Sequence, residues 1–292
     1  MTLSVLDTHV HVWDPTRLDY PWLTGSAALN HSFLPPAIDR AQGQTERMVF
    51  VEASCTTPLR ELSWVTSWGD TWPELTGVVA NIDLQDASAR AKLLDTYAAH
   101  QRVVGVRHNI QSHPDEVFID PLFRQGLRDI AHSGLTFDAC VNRNQLPLLT
   151  ALLAEIPDLR VVVDHLGKPN VDEGITSESG RAWAKEITRL SALPNVFIKV
   201  SGLAGEASTP QLLRARADAF IAHAVAAFGT TRSMIGSDWP VSALSGAGGT
   251  FADWISQVQR ATGSTDAEWE ELSYRTGAVF YRLDESSQTM SQ

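Results

Sequence analysis

Eight short apolar runs rich in β-branched residues, separated by stretches long enough for a helix, predict an α/β chain folded as a single-domain (β/α)8 TIM barrel. Run starts recur about every 33 residues, one strand-helix unit repeated along the chain. The runs are LSVL (3–6), MVFVE (48–52), GVVANI (77–82), VVGVRH (103–108), TFDACV (136–141), RVVVDH (160–165), VFIKVS (196–201) and MIGSD (234–238). Most are continuously apolar rather than alternating, as strands covered on both faces require. An open doubly wound sheet would need a glycine-rich phosphate loop after an early strand, and no early run exits into one.

The intervening segments carry helix signals. After the fourth run, Asp120 is placed to cap, Pro121 sits in the first turn, Leu122, Phe123, Leu127 and Ile130 follow helical spacing, and Gly134 stops the helix. In residues 144–157, Leu149, Leu152, Leu153 and Ile156 form one stripe, and Trp183, Ile187 and Leu190 form another before Pro194. The stretch 14–47 is long for a strand-to-helix connection. Its Tyr20, Pro21, Trp22, Phe33, Pro35 and Pro36 suit a packed flap inserted beside the first strand's exit. Residues 242–251, rich in small side chains, follow the eighth strand as a mobile loop. The barrel is expected over 1–283, with 284–292 as a disordered tail.

Composition narrows the function classes. A chain of 292 residues with 43% hydrophobic and 20% charged content supports a sizeable core. A formal charge of −11 argues against nucleic acid or an anionic membrane as partner, since both demand a basic face. Cys55 and Cys140 are the only cysteines, so neither a disulfide framework nor a thiolate metal site is indicated, and a cytoplasmic setting fits. The first residues run straight into a strand pattern, so no signal peptide is expected. No stretch approaches the roughly 20 apolar residues of a membrane span. Whether the chain forms a homo-oligomer is left open.

The chemistry-bearing residues gather at strand ends. His9 and His11 are two apart, so an extended strand points both to one face. Nine histidines in 292 residues would give about 0.3 such pairs by chance, so it is their place at the end of the first strand that singles them out. His165 ends the sixth run; if it points inward, its neighbour Asp164 points away. Asp238 ends the eighth run, and a carboxylate among apolar residues needs a cation, donors or a proton. Arg107 and His108, at the end of the fourth run, face opposite ways and compete for the interior. Lys168 and Lys199 are each placed for substrate contact or for a structural ion pair. Trp13, Trp22 and Trp239 could wall a sugar ring.

The ordered motifs DTHVHVWDP (7–15), DYPWL (19–23), GVRHNIQ (105–111), DHLGKP (164–169), KVSGL (199–203) and GSDWPV (236–241) resemble the amidohydrolase superfamily. The likeness is to its sugar-lactonase branch, which includes L-fuconolactonase, L-rhamnonolactonase and 2-pyrone-4,6-dicarboxylate lactonase. That resemblance implies that His9, His11 and His165 gather around a substrate carbonyl and that Asp238 activates water. Arg107, His108, Trp22, Lys168 and Trp239 are then candidate substrate contacts. The metal-rich members carry a carbamylated lysine on strand four and a histidine on strand five. Neither stands here, so a two-metal site is not expected. One divalent ion, zinc or manganese, on His9, His11 and Asp238 with Glu52 as an added carboxylate remains open beside a metal-free mechanism.

The expected activity is hydrolysis of a small sugar-acid lactone, with an uncharged aldonolactone favoured over a dicarboxylate for want of arginines at the strand ends. The alternatives are a mononuclear metal-dependent decarboxylase or amide hydrolase of the same superfamily, and a barrel that only binds its ligand.

Overall fold

The computed structural model describes residues 4–283; the expected disordered tail at 284–292 lies outside the described residues. Eight parallel strands follow one another around a sheet in sequence order: β1 Val5–Val10, β2 Thr45–Val51, β3 Leu75–Asn81, β4 Val103–Asn109, β5 Thr136–Cys140, β6 Val161–Val163, β7 Val196–Val200 and β8 Ser233–Ile235. The ring closes beyond β8, where the Asp238 amide donates to the His9 carbonyl at 2.8 Å and the His11 amide to the Trp239 carbonyl at 2.8 Å. Each of the eight apolar runs is a strand, and the intervening helices cover the sheet as a (β/α)8 barrel requires.

Alternation along the strands assigns the two faces. Phe50, Val78, Val106, Phe137, Val161, Val163, Ile198 and Ile235 belong to the large core between sheet and helices. Their neighbours Val49, Val51, Val79, Val162 and Met234 pack inside the barrel with Leu6 and with Phe280 and Tyr281 from the end of the chain. The same phase points Arg107, Asp138 and Lys199 inward and His108 outward. Near the C-terminal end of the barrel the inner face thus turns from aliphatic to charged.

The helix signals act as read. Asp120 accepts from the Leu122 amide, Pro121 opens the helix Pro121–Ser133, and Gly134 ends it at φ 79°. Leu122 departs from its expected stripe and is exposed in the first turn of the helix. The helix Leu146–Ala154 buries Leu149, Leu152 and Leu153, and Glu178–Ser191 buries Trp183, Ile187 and Leu190. The insertion after β1 is a packed flap: Trp13 pairs its backbone with Phe33, and Tyr20, Leu23 and Phe33 are buried. The small-residue loop after β8 holds a short helix, Val241–Leu244, before the helix Phe251–Thr262, which Thr250 and Asp253 cap reciprocally.

Two glycines let the inner residues meet. A Cβ on Gly202, itself at φ 71°, would lie 2.2 Å from His165 Nδ1, and one on Gly236 would lie 2.7 Å from the His9 Cβ. Gly202→Ala should therefore cost roughly 1–3 kcal/mol in chemical denaturation and push the His165 ring off its position. Unfolding midpoints and activity matching the parent would contradict that packing.

Candidate active site

His9 and His11 extend inward from β1 and its exit, and their Nε2 atoms stand 3.1 Å apart. Val51 O lies 2.7 Å from His11 Nδ1 and can only accept, so Nδ1 carries the proton and Nε2 faces the centre. Asp238 meets them from the β8 exit. Its Oδ1 lies 3.6 Å from His11 Nε2, 3.8 Å from His9 Nε2 and 3.9 Å from His165 Nε2, while Ser242 Oγ donates to its Oδ2 at 2.8 Å. Asp238 adopts φ 55°, a left-handed backbone that turns its side chain onto the cluster.

His165 arrives by an unexpected route. By strand phase Asp164 points inward and His165 outward, the reverse of the simple alternation argued from sequence. His165 and Leu166 take φ 55° and 53°, and this left-handed turn swings His165 back over the barrel mouth. Both residues therefore reach the interior. Ser201 Oγ lies 3.0 Å from His165 Nδ1 and fixes the ring.

Beneath the cluster runs a chain of buried charges. Arg107 donates from Nε to Glu52 Oε1 at 2.6 Å and from Nη2 to the Glu52 carbonyl at 2.5 Å, and its Nη1 stands 3.4 Å from Asp164 Oδ2. Lys199 Nζ stands 3.2 Å from Asp164 Oδ1, donates to Asp138 Oδ2 at 2.5 Å and lies 3.1 Å from His9 Nδ1. Tyr281 adds its hydroxyl to Asp138 at 2.8 Å. Lys199 is thus the structural ion-pair residue of the two roles open to it.

Electrostatics follow from these contacts. Burial and the Lys199 charge push His9 well below the ordinary imidazole range, and burial takes His165 down to about 4, so both are neutral at working pH. Burial alone would raise the Asp238 carboxyl, but His165, His11 and His9 outweigh it and hold it well below the usual carboxylate range.

The donor set fits one divalent ion. Two ligands about 2.0–2.1 Å from a tetrahedral zinc stand roughly 3.3 Å apart. The His9, His11 and Asp238 atoms, at 3.1 to 3.8 Å, approximate that triangle. Lys199 Nζ at 3.2 Å and His9 Nδ1 at 3.3 Å both face the buried Asp164 Oδ1 beneath that triangle.

Other expected site residues are placed differently. Glu52 does not join the cluster: Arg107, Asn81 Nδ2 at 2.7 Å and the Ser54 amide at 2.6 Å occupy its carboxylate. Arg107 is itself engaged below the cluster and presents no free donor pair to a substrate. His108 faces the helix layer, accepting from the Leu84 amide at 3.0 Å and stacking edge-on to Phe123. Trp22, part-exposed, donates to Ala53 O at 2.7 Å on the rim. Trp239 is almost buried and packs edge-on to Phe33, and Lys168 Nζ reaches Gln111 Oε1 at 2.5 Å. Sequence reasoning missed Asp138, Ser201, Glu206 and Ser242. Of these, only Ser201 carried a signal, as the polar residue at which the KVS run ends.

A carboxylate ringed by imidazoles at the C-terminal mouth of a (β/α)8 barrel defines a barrel enzyme. The amidohydrolase family pattern matches residues 6–276, and the chain belongs to that family. It is 30% identical over 290 residues to the L-fucono-1,5-lactonase of Burkholderia ambifaria, covering 97% of each chain. It is 26% identical to the L-rhamnono-gamma-lactonase of Scheffersomyces stipitis over 49% of this chain and 47% of that one. Among solved structures, an amidohydrolase from Burkholderia multivorans with bound zinc superposes with a TM-score of 0.83 at 27% identity, covering 96% of this chain and 99% of that one.

Two measurements probe the buried charges. Lys199→Met leaves Asp138 and Asp164 with one cation fewer and should cost about 3–5 kcal/mol in urea unfolding; an unchanged midpoint would contradict the ladder. Burial, with the charge of Glu52 beside it, raises the Glu61 carboxyl from 4.5 to about 8. The folded state then holds a proton the unfolded chain has released, so this residue's contribution to stability falls as pH rises from 4.5 to about 8. Glu61→Gln should remove that decline, gaining on the order of 3 kcal/mol over the parent at pH 8 and nothing near pH 4. Parallel stability profiles for the two proteins would refute it.

Proposed function

We propose that this enzyme hydrolyses a small, uncharged sugar-acid lactone in the cytoplasm, an aldonolactone of the L-fucono or L-rhamnono type, with Asp238 as the base that takes a proton from water. The supporting observation is the cluster itself: an ionised carboxylate oxygen faced by three imidazole Nε2 atoms at 3.6 to 3.9 Å, in a chain 30% identical to an L-fucono-1,5-lactonase.

Ester opening needs a proton acceptor for water, an electrophile for the carbonyl oxygen and a proton for the leaving alkoxide. Ser242 ties down Asp238 Oδ2, so Oδ1 is the oxygen turned toward the imidazoles and toward a water between them. His165, neutral and anchored by Ser201, presents Nε2 to the substrate oxygens. Lys199 and Asp164 orient His9 from below. In a lactone the leaving oxygen stays tethered, so the Asp238 carboxyl can return its proton to it and no separate acid is required. A single divalent ion, zinc or manganese, held by His9, His11 and Asp238 would polarise the carbonyl and acidify the water. Trp22, Trp239 and Lys168 would border the sugar at the mouth, while Arg107 acts through Glu52 and Asp164 rather than on substrate.

A panel of aldonolactones followed with a pH indicator should show turnover, and Asp238→Asn should lower kcat at least about a hundredfold with the fold intact. Elemental analysis should find up to one divalent ion per chain, lost on His11→Ala. No turnover of any aldonolactone at high enzyme concentration would sink the proposal, and near-parental rates in Asp238→Asn would remove the base from Asp238.

A further inference from the structure

Four loops bring opposite charges together over the cluster. Lys168 stands three residues beyond His165, and its Nζ reaches Gln111 Oε1 at 2.5 Å. Glu206 ends the turn Leu203–Glu206 that follows Gly202, the glycine on which the His165 ring packs. Its Oε1 lies 3.9 Å from Lys168 Nζ and its Oε2 lies 3.8 Å from Arg143 Nη1. The Glu206 carbonyl accepts from the Val171 amide at 3.3 Å, which ties the turn to the loop that carries Lys168. All three side chains remain partly open to the mouth, Glu206 and Lys168 at 19% and Arg143 at 35%.

We propose that Glu206 sets the charge class of the substrate: placed between Arg143 and Lys168, it turns a rim that would grip a carboxylate into one suited to the hydroxyls of an uncharged polyol lactone. The inference rests on reading the site as a lactone-opening centre. Lys168, Arg143, Glu206 and Asp238 sum to zero; without Glu206 one positive charge is left facing the mouth. Such a rim would hold a carboxylate-bearing lactone, and it would also hold the product, since opening a neutral lactone creates a carboxylate. Glu206 therefore both rejects anionic substrates and speeds release of the anionic product. Burial raises the Glu206 pKa, the charges of Lys168 and Arg143 lower it, and the charge of Asp238 raises it again.

The test uses the full-length enzyme with Glu206→Gln, nearly the same shape without the charge, and Glu206→Asp, which keeps the charge. Calorimetric binding of D-glucarate, an open-chain sugar diacid, needs no turnover. Glu206→Gln should bind it about tenfold tighter than the parent at low salt, with the gain shrinking at high salt, while Glu206→Asp should behave as the parent. In kinetics, the kcat/KM ratio for D-glucarolactone over a neutral aldonolactone should rise about tenfold in Glu206→Gln, and aldonate inhibition should tighten by a similar factor. Unchanged D-glucarate affinity in Glu206→Gln, or the same gain in Glu206→Asp, would overturn the proposal even if aldonolactones are turned over. Tighter D-glucarate binding in an enzyme that opens no lactone would uphold the rim and discard the lactonase reading.

Discussion

The site depends on one constraint: five charged side chains buried inside the barrel must each be paired with a neighbour of opposite sign. Glu52, Arg107, Asp164, Lys199 and Asp138 alternate in sign and come from the ends or interiors of β2, β4, β6, β7 and β5. A buried ion left without its partner costs several kcal/mol, so each link fixes the register of the strand that carries it. The ladder ends at His9, whose Nδ1 faces Lys199 and Asp164 together. Orientation of the cluster is thus set from below by groups buried beneath it.

Above the ladder, the site abandons regular strand geometry. His165 and Asp238 both sit at φ 55°, a region costly for residues with a Cβ, and both occur where a strand has just ended. Asp7 helps hold one of these exits, its Oδ1 accepting from the Ser237 amide at 2.8 Å and from the His9 amide at 3.1 Å. Gly202 and Gly236 supply the room that such close approach demands. The barrel is rigid where it is aliphatic and strained where it is chemical, a division that places side chains more tightly than loops alone would allow.

The barrel was legible because a parallel sheet covered on both faces writes continuous apolar runs, and each run is a strand. His9, His11 and Asp238 were legible for a related reason: polar groups that end such runs have one place to go. What could not be read was pairing between distant segments. Glu52 looked like a free carboxylate because Arg107, 55 residues later, is visible as its partner only once β2 and β4 face the same interior. Asp164 was expected to point away from an inward His165, yet both reach the interior, because period-two alternation holds only while the backbone is extended, and at residue 165 it is not. Glu206 carries no local mark at all, since its meaning lies in two cations on other loops.

The electrostatics of Asp238 constrain how the work is divided. A carboxylate held well below its ordinary range by the imidazoles around it is always ionised, yet for the same reason it is a weak base. Water gives its proton to such a group readily only if something makes that water more acidic or stabilises the charge appearing on the carbonyl. On the proposed reading, the imidazoles and the ion-sized triangle of His9, His11 and Asp238 would supply the electrophilic side of that balance. Raising the basicity of Asp238 by removing imidazoles would weaken the electrophile at the same stroke, so base and electrophile cannot be tuned separately. On the proposed reading, that coupling makes one unit of the four residues, delivered from three strand exits and held by the ladder beneath them.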